Sequence, residues 1–312
     1  MKLLLTLAWI VTTSSLLAAP PYNSGFATGK PGDYLAGTFS AEQIRVVPID
    51  GANAMMIDDS VVCFEDVPVR PNTKYTLSFG GAFSGDVESI EENSRFEVFT
   101  HLGRVSPVLP SRRIQFLDAA GKPLASQLQY AMPFRRQHRY TDVFYTPANA
   151  ASLRLHVASG DGVVFSLCGL KLEEAADEGA LNVNPAFNLG PLNYSGWQRI
   201  SAGGQIIELD GKTVFDTKYG SRGMAFPMPG PGTYALSARA TGNGYNSCVQ
   251  VHLFDAQGNT LLKVTTRRYG PPSYFVAPKE AVAASFLVYS CLLEEVRLVR
   301  VGDENAIGDL TK

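Results

Sequence analysis

Net charge is almost absent from this chain: 27 Lys and Arg stand against 29 Asp and Glu, a formal −2 at pH 7. Nucleic-acid binding draws on a basic stripe of phosphate-neutralising side chains, and none is visible, which excludes nucleic acid as a partner. Catalytic signatures are absent as well. His101, His138, His156 and His252 are scattered, with no HExxH and no close pair to hold zinc. No GxSxG elbow occurs; SGD at Ser84 and GSRG at Gly220 lack its spacing. The Gly-rich stretch Thr241–Asn246 does not open a helix and reads as a loop rather than a phosphate cradle. Glycosidases need two carboxylates flanking a bond, whereas the carboxylates here fall mostly in turns, a linker and an insertion. The chain is therefore read as non-catalytic, with no metal ligands and no cofactor.

Long apolar runs are confined to the N-terminus. Lys2, the run Leu3–Val11 and the small, polar stretch Thr12–Ala19 have the layout of a secretory signal peptide over residues 1–19. Elsewhere no run reaches membrane length, and residues 303–312 form a polar tail. A secreted, periplasmic or cell-surface protein is expected, with no membrane insertion after signal cleavage. Four cysteines in an exported chain suggest disulfides. The simplest of three pairings joins Cys63 to Cys168 and Cys248 to Cys291; four buried thiols are the alternative.

High Gly and Pro content (29 and 19 residues), β-branched runs and modest charge point to an all-β chain rich in turns. Its organising feature is a repeat. NSGFATG (Asn23–Gly29) returns as NPAFNLG (Asn184–Gly190). Further matches follow in the same order: RVVPIDG (Arg45–Gly51) with QIIELDG (Gln205–Gly211), and VPVRPNTKYTLSF (Val67–Phe79) with FPMPGPGTYALSA (Phe226–Ala238). RIQFLDAAGKPL (Arg113–Leu124) matches VQVHLFDAQGNTLL (Val249–Leu262), each a strand closed by an Asp-Ala-x-Gly hairpin turn. YTDVFYTPANA (Tyr140–Ala150) matches PPSYFVAPKEA (Pro271–Ala281), and each copy ends in an apolar strand, Val163–Leu172 and Ser290–Val299. Collinear matches of this kind define two copies of one module, residues 20–175 and 180–302, joined by the acidic linker Glu173–Ala180.

The first copy carries an insertion, Ser84–Pro107, holding Asp86, Glu88, Glu91, Glu92 and Glu97; RFEVFTHL (Arg95–Leu102) within it alternates like a strand. The basic segment Pro133–Tyr140, echoed by RRY at Arg267, could meet an acidic polysaccharide, offset the insertion or be solvated. Both are read as solvated surface.

Taken together, the Asn-x-x-Phe-x-x-Gly opening, Gly196-Trp197, the Pro-turn-Tyr strand, the Asp-x-x-Gly hairpin and the closing apolar strand form a recognisable set. It resembles the galactose-binding-like jelly-roll modules, in particular carbohydrate-binding modules appended to bacterial polysaccharide-degrading enzymes. The resemblance covers nearly the whole mature chain, twice. It implies two tandem antiparallel β-sandwich (jelly-roll) domains that bind sugar without catalysis, on a concave face or at loop tips. It also implies that Trp197 packs rather than stacks on sugar. Members often hold a structural calcium with an acidic residue after the opening Phe and another near the closing strand. Here Ala27 and Asn188 follow Phe26 and Phe187, the first copy closes on Cys168-Gly169, and only Glu294 and Glu295 remain. No calcium is expected.

Strand parity supplies the binding candidates. Ile114 and Phe116 point to the core, which turns Arg113 and Gln115 outward; Val251 and Leu253 do the same for Gln250 and His252. Planar polar groups of this kind hydrogen-bond sugars, and aromatic faces pack on their C–H patches. Tyr145 and Tyr274, opposite in parity to Phe144 and Phe275, are expected on the same outer surface. The partner is thus a polysaccharide or glycan. Another reading is a structural or surface-assembly protein whose modules contact a surface or enzyme partner protein and bind no sugar.

Overall fold

The computed structural model describes residues 35–36, 42–49, 51–85, 111–130, 138–159, 162–176, 179–189, 195–198, 205–217, 221–223, 225–241, 248–266, 270–289, 291–304 and 306. Among them there are strands and turns but no helix. Alternation is the local cause. In Ser152–Ala158, Leu153, Leu155 and Val157 are buried while Ser152, Arg154 and His156 face outward, the period-2 pattern of a strand with one face on a core.

The first set of strands is β1 (Leu35–Ala36), β2 (Ile44–Ile49), β3 (Ala52–Asp58), β4 (Val61–Phe64), β5 (Val67–Pro68), β6 (Lys74–Gly85), β7 (Ser111–Leu117), β8 (Pro123–Tyr130), β9 (His138–Tyr145), β10 (Ser152–Ala158) and β11 (Val163–Glu174). They make a 6-stranded sheet, β1-β4-β10-β7-β8 with β5 on β10, and a 5-stranded sheet, β2-β3-β11-β6-β9. The second set is β12 (Trp197–Gln198), β13 (Gln205–Leu209), β14 (Lys212–Asp216), β15 (Ser221–Gly223), β16 (Phe226–Pro227), β17 (Gly232–Thr241), β18 (Cys248–Phe254), β19 (Thr260–Thr266), β20 (Ser273–Ala277), β21 (Ala283–Tyr289) and β22 (Leu292–Gly302). Their order, β12-β15-β21-β18-β19 with β16 on β21 and β13-β14-β22-β17-β20, repeats the first set strand for strand. Every described pairing is antiparallel. Each pair of sheets encloses its own apolar core, one around Tyr75, Phe144 and Phe165, the other around Phe187, Phe215 and Phe286. The fold is two antiparallel jelly-roll sandwiches.

The repeat holds at the level of atoms. Tyr75 and Tyr234 are both fully buried, and each stacks on the aromatic ring aligned with it in sequence, Phe144 at 6.2 Å and Phe275 at 5.8 Å. Each hydroxyl is tied to the turn before its strand: Tyr75 Oη accepts the Arg70 N–H, and Tyr234 Oη donates to Gly230 O. Both Asp-Ala-x-Gly turns form as the sequence predicts. Asp118 Oδ1 accepts the N–H groups of Ala120 and Lys122, and Asp255 Oδ1 accepts those of Gln257 and Asn259. Hydrogen bonding, first from the Asn259 side chain, holds the Asp255 carboxyl below its usual pKa.

Phe187 is completely buried against Trp197 (5.6 Å) and Phe215 (5.4 Å), so NPAFNLG supplies a core anchor. Trp197 also stacks on Phe286 at 5.9 Å, a packing role. The segment before Phe187 is stitched to β22. Leu181 N–H donates to Leu298 O, and the Asn182 side chain spans Val296 O and Leu298 N at 2.9 and 3.0 Å. At the other end β11 continues to Glu174, and Ala175 N–H donates to Lys74 O. The acidic stretch read as a linker is thus largely taken up by structure at both ends.

The two halves also touch. On β9, Tyr140, Asp142 and Phe144 lie across from Phe79, Leu77 and Tyr75 and face the first core. The alternate residues Val143 and Tyr145 therefore face away from it. The Val143 N–H donates to Ser195 Oγ at 2.9 Å in a buried bond, and Tyr145 packs against the second core.

Candidate functional site

The two 6-stranded sheets present their outer faces at matching positions. In the first, β10 and β7 pair so that His156 lies across from Arg113 and Arg154 across from Gln115. Cys63 on β4 continues the row on the far side of His156. All five side chains are half-buried, while their neighbours Ile114, Phe116, Leu155 and Val157 fill the core. Arg154 grips Asp66 with two bonds, Nε to Oδ1 at 2.6 Å and Nη2 to Oδ2 at 2.8 Å. Burial first, then the charges of Arg113 and Arg154, lowers the pKa of His156; Asp66 works the other way. Burial also raises the pKa of the Cys63 thiol. The field over this row is positive.

In the second sheet, β18 and β21 place Gln250 across from Leu287 and His252 across from Ser285. On the other side, β19 sets Thr265 across from Gln250 and Lys263 across from His252. His252 Nε2 lies 3.2 Å from Gln250 Oε1, so the two side chains hold each other. This row carries amide, imidazole and hydroxyl groups, with Lys263 across from His252 and Arg222 of β15 across from Leu287.

Arg113 with Gln115, and Gln250 with His252, thus lie on outward faces at equivalent strand positions. The tyrosines do not join them. Tyr145 is on β9 and Tyr274 on β20, the edge strands of the 5-stranded sheets. Tyr145 packs against the second core, and Tyr274 sits across from Ala235 on its own sheet. Parity along a strand gives the face of a sheet but not which sheet, which is why the expected shared surface fails. His156, Arg154 and Asp66 were missed. The alternation of SLRLHVA at Ser152–Ala158 carried the signal for the first two; the neighbouring strand that completes the row is a matter of topology.

The expected cysteine pairing is corrected too. Cys63, Cys168 and Cys291 are thiols. Cys63 faces outward from β4 in one sheet and Cys168 outward from β11 in the other, so they lie on opposite surfaces of the sandwich. Packed sheets are about 10 Å apart, beyond the reach of a disulfide, which needs Cα atoms within about 7 Å. Cys291 is buried, its N–H and carbonyl both bonded to the Thr217 hydroxyl. The side chain of Cys248 lies outside the described residues.

The two carboxylates considered for calcium both have cationic partners. Glu294 is paired with Lys212 at 3.2 Å, and Glu295 with both Arg239 and Arg297. Among the described residues no cluster of His, Cys, Asp or Glu suits a metal.

Several sequence-based expectations lie outside the described residues: the signal peptide, Phe26, the insertion beyond Gly85, the basic segment before His138, Arg267, and the tail beyond Ala306. No described helix is long and apolar enough to cross a membrane.

No known family model and no curated protein sequence matches the chain. The solved structures it resembles are mostly carbohydrate-binding modules, at low identity. A family 16 carbohydrate-binding module shows 15% identity and a TM-score of 0.35, the match covering 49% of this chain and 99% of that one. The N-terminal CBM22-1-CBM22-2 tandem domain of Paenibacillus barcinonensis Xyn10C shows 10% identity and a TM-score of 0.33 over 91% of this chain and 98% of its own. A putative sugar-binding protein from Bacteroides thetaiotaomicron shows 11% identity and a TM-score of 0.30 over 49% of this chain and 98% of its own.

Proposed function

We propose that this protein is an exported, non-catalytic carbohydrate-binding protein that recognises a polysaccharide or glycan. The observation that carries the reading is the pair of matching polar rows, Arg113 with Gln115 and Gln250 with His252, on the outer faces of equivalent sheets. Core-facing neighbours fix each row in place, so the polar groups are oriented before a ligand arrives. Two rows on one chain allow avidity, the second contact becoming intramolecular once the first is made. The reading calls for no metal and no cofactor.

The test is affinity electrophoresis of the mature chain through a panel of soluble polysaccharides, backed by a glycan array. Arg113→Ala with Gln115→Ala, and Gln250→Ala with His252→Ala, should each weaken retention about tenfold, the loss of roughly one or two hydrogen bonds. The melting temperature should hardly move, because all four side chains face outward. No retention on any polysaccharide would sink the reading and leave the assembly protein, which the buried contact of Val143 with Ser195 favours as a second candidate.

A further inference from the structure

We infer that the outer face of the first module's 6-stranded sheet seats a sugar residue bearing an anionic group, held between Arg113 and His156. The inference rests on the carbohydrate-binding reading and narrows it to an acidic glycan for this module. Arg113 and His156 are direct cross-strand partners on β7 and β10. Neither has a hydrogen bond or ion pair among the described residues, although both are half-buried. Two groups able to carry positive charge stand opposite each other, and the second charge is unfavourable unless an anion lies between them.

The surrounding groups sharpen the point. His156 is faced by Arg154 on its own strand, by Arg113 and Gln115 on β7, by Cys63 on β4 and by Asp66 after β4. The sole carboxylate in that set, Asp66, is already spanned by both nitrogens of Arg154. The planar fork of Arg113 suits a carboxylate or sulfate oxygen pair, and the imidazole adds a donor beside it.

The second module lacks these groups at the same positions. Gln250 stands where the first has Arg113, Leu287 where it has His156, and Ser285 where it has Arg154. The opposed Arg–His pair therefore belongs to the first module alone, whereas the cations of the second row, Lys263 and Arg222, come from other strands.

The pH dependence has a definite sign. In the free protein burial and two cationic neighbours lower the proton affinity of His156, so the imidazole is neutral near pH 7. A bound anion raises that affinity, and binding takes up a proton. Affinity therefore rises as pH falls. The free protein behaves oppositely, losing stability as the unfolded chain gains protons below about pH 6.5.

Retention should be measured on polygalacturonate, dextran sulfate and neutral xyloglucan, at about pH 7.5 and about pH 5.5, either side of the ordinary histidine pKa. Retention on one of the two anionic polymers above xyloglucan, growing at the lower pH, is expected; the better of the two identifies carboxylate or sulfate. Arg113→Gln with His156→Leu, the second module's own residues, should reduce anionic retention about tenfold, the loss of a charge-assisted contact, and flatten the pH response. The reverse graft, Gln250→Arg with Leu287→His, should add anionic retention and guards against a misfolded loss-of-function variant. Equal retention of all three polymers, or an unchanged Arg113→Gln/His156→Leu variant, overturns the inference while leaving sugar binding intact. Retention of none also overturns the inference, and the polysaccharide panel and glycan array then decide the carbohydrate reading separately.

Discussion

Arg112 and Asp142 are the most strongly committed charges in the first core. Arg112 on β7 and Asp142 on β9 join the two sheets through two 2.6 Å bonds, with side chains 5% and 2% exposed. The guanidinium lies over the rings of Phe79 and Tyr140 at 5.1 and 5.5 Å. Burial, partly offset by Arg112, pushes the Tyr140 hydroxyl well above its ordinary pKa. The second module solves the same place without charge, using Val249 and Ser273. Breaking a buried pair leaves an uncompensated ion, whereas replacing both partners is often neutral. Asp142→Ala should thus cost about 3–5 kcal/mol, and Arg112→Val with Asp142→Ser should recover most of that loss. Urea denaturation of the three variants checks this; a double variant as unstable as the single one would refute it.

At the scale of elements, the paired hairpin turns show what local sequence can specify. Gly121 and Gly258 occupy left-handed conformations, φ 76° and 83°, at the same place in the two Asp-Ala-x-Gly turns. A Cβ added at either meets nothing within 4 Å, so the cost of a side chain is conformational alone. Gly121→Ala and Gly258→Ala should each destabilise by about 1 kcal/mol, the left-handed penalty, and by similar amounts, as calorimetry of the two variants would reveal. Turns of this kind were legible because their chemistry is contained in a few consecutive residues. The core strands were legible for a related reason: their alternation and order survive in both copies, from Tyr75 and Tyr234 to Phe144 and Phe275. The site was legible only in half. Arg113 and Gln115 could be turned outward by parity, but the residues beside them come from β10 and β4, and strand order across a jelly roll leaves no local trace. The misplacement of Tyr145 and the separation of Cys63 from Cys168 have the same origin.

For the whole molecule, the contact between halves decides what Tyr145 does. Its ring packs on the second core, and the neighbouring Val143 N–H is satisfied by Ser195. Tyr145→Ala should lower stability by about 1–3 kcal/mol, the usual loss for a packed side chain, and leave polysaccharide retention unchanged. Weakened retention at unchanged stability would instead return Tyr145 to the binding surface.

The seat of Val143 on Ser195 also bears on how the chain reaches its final form. β9 is the last strand of its sheet, and its outer rim is a template for another strand wherever it stands bare. Synthesis proceeds from the N-terminus, so the first sandwich can close while Ser195 is still to come. During that interval the Val143 N–H lacks the Ser195 hydroxyl that caps it in the finished chain, and the rim of β9 is open to a neighbouring strand. A chain cut after Glu174 would keep that exposure permanently, and its characteristic failure would be edge-to-edge polymerisation rather than unfolding.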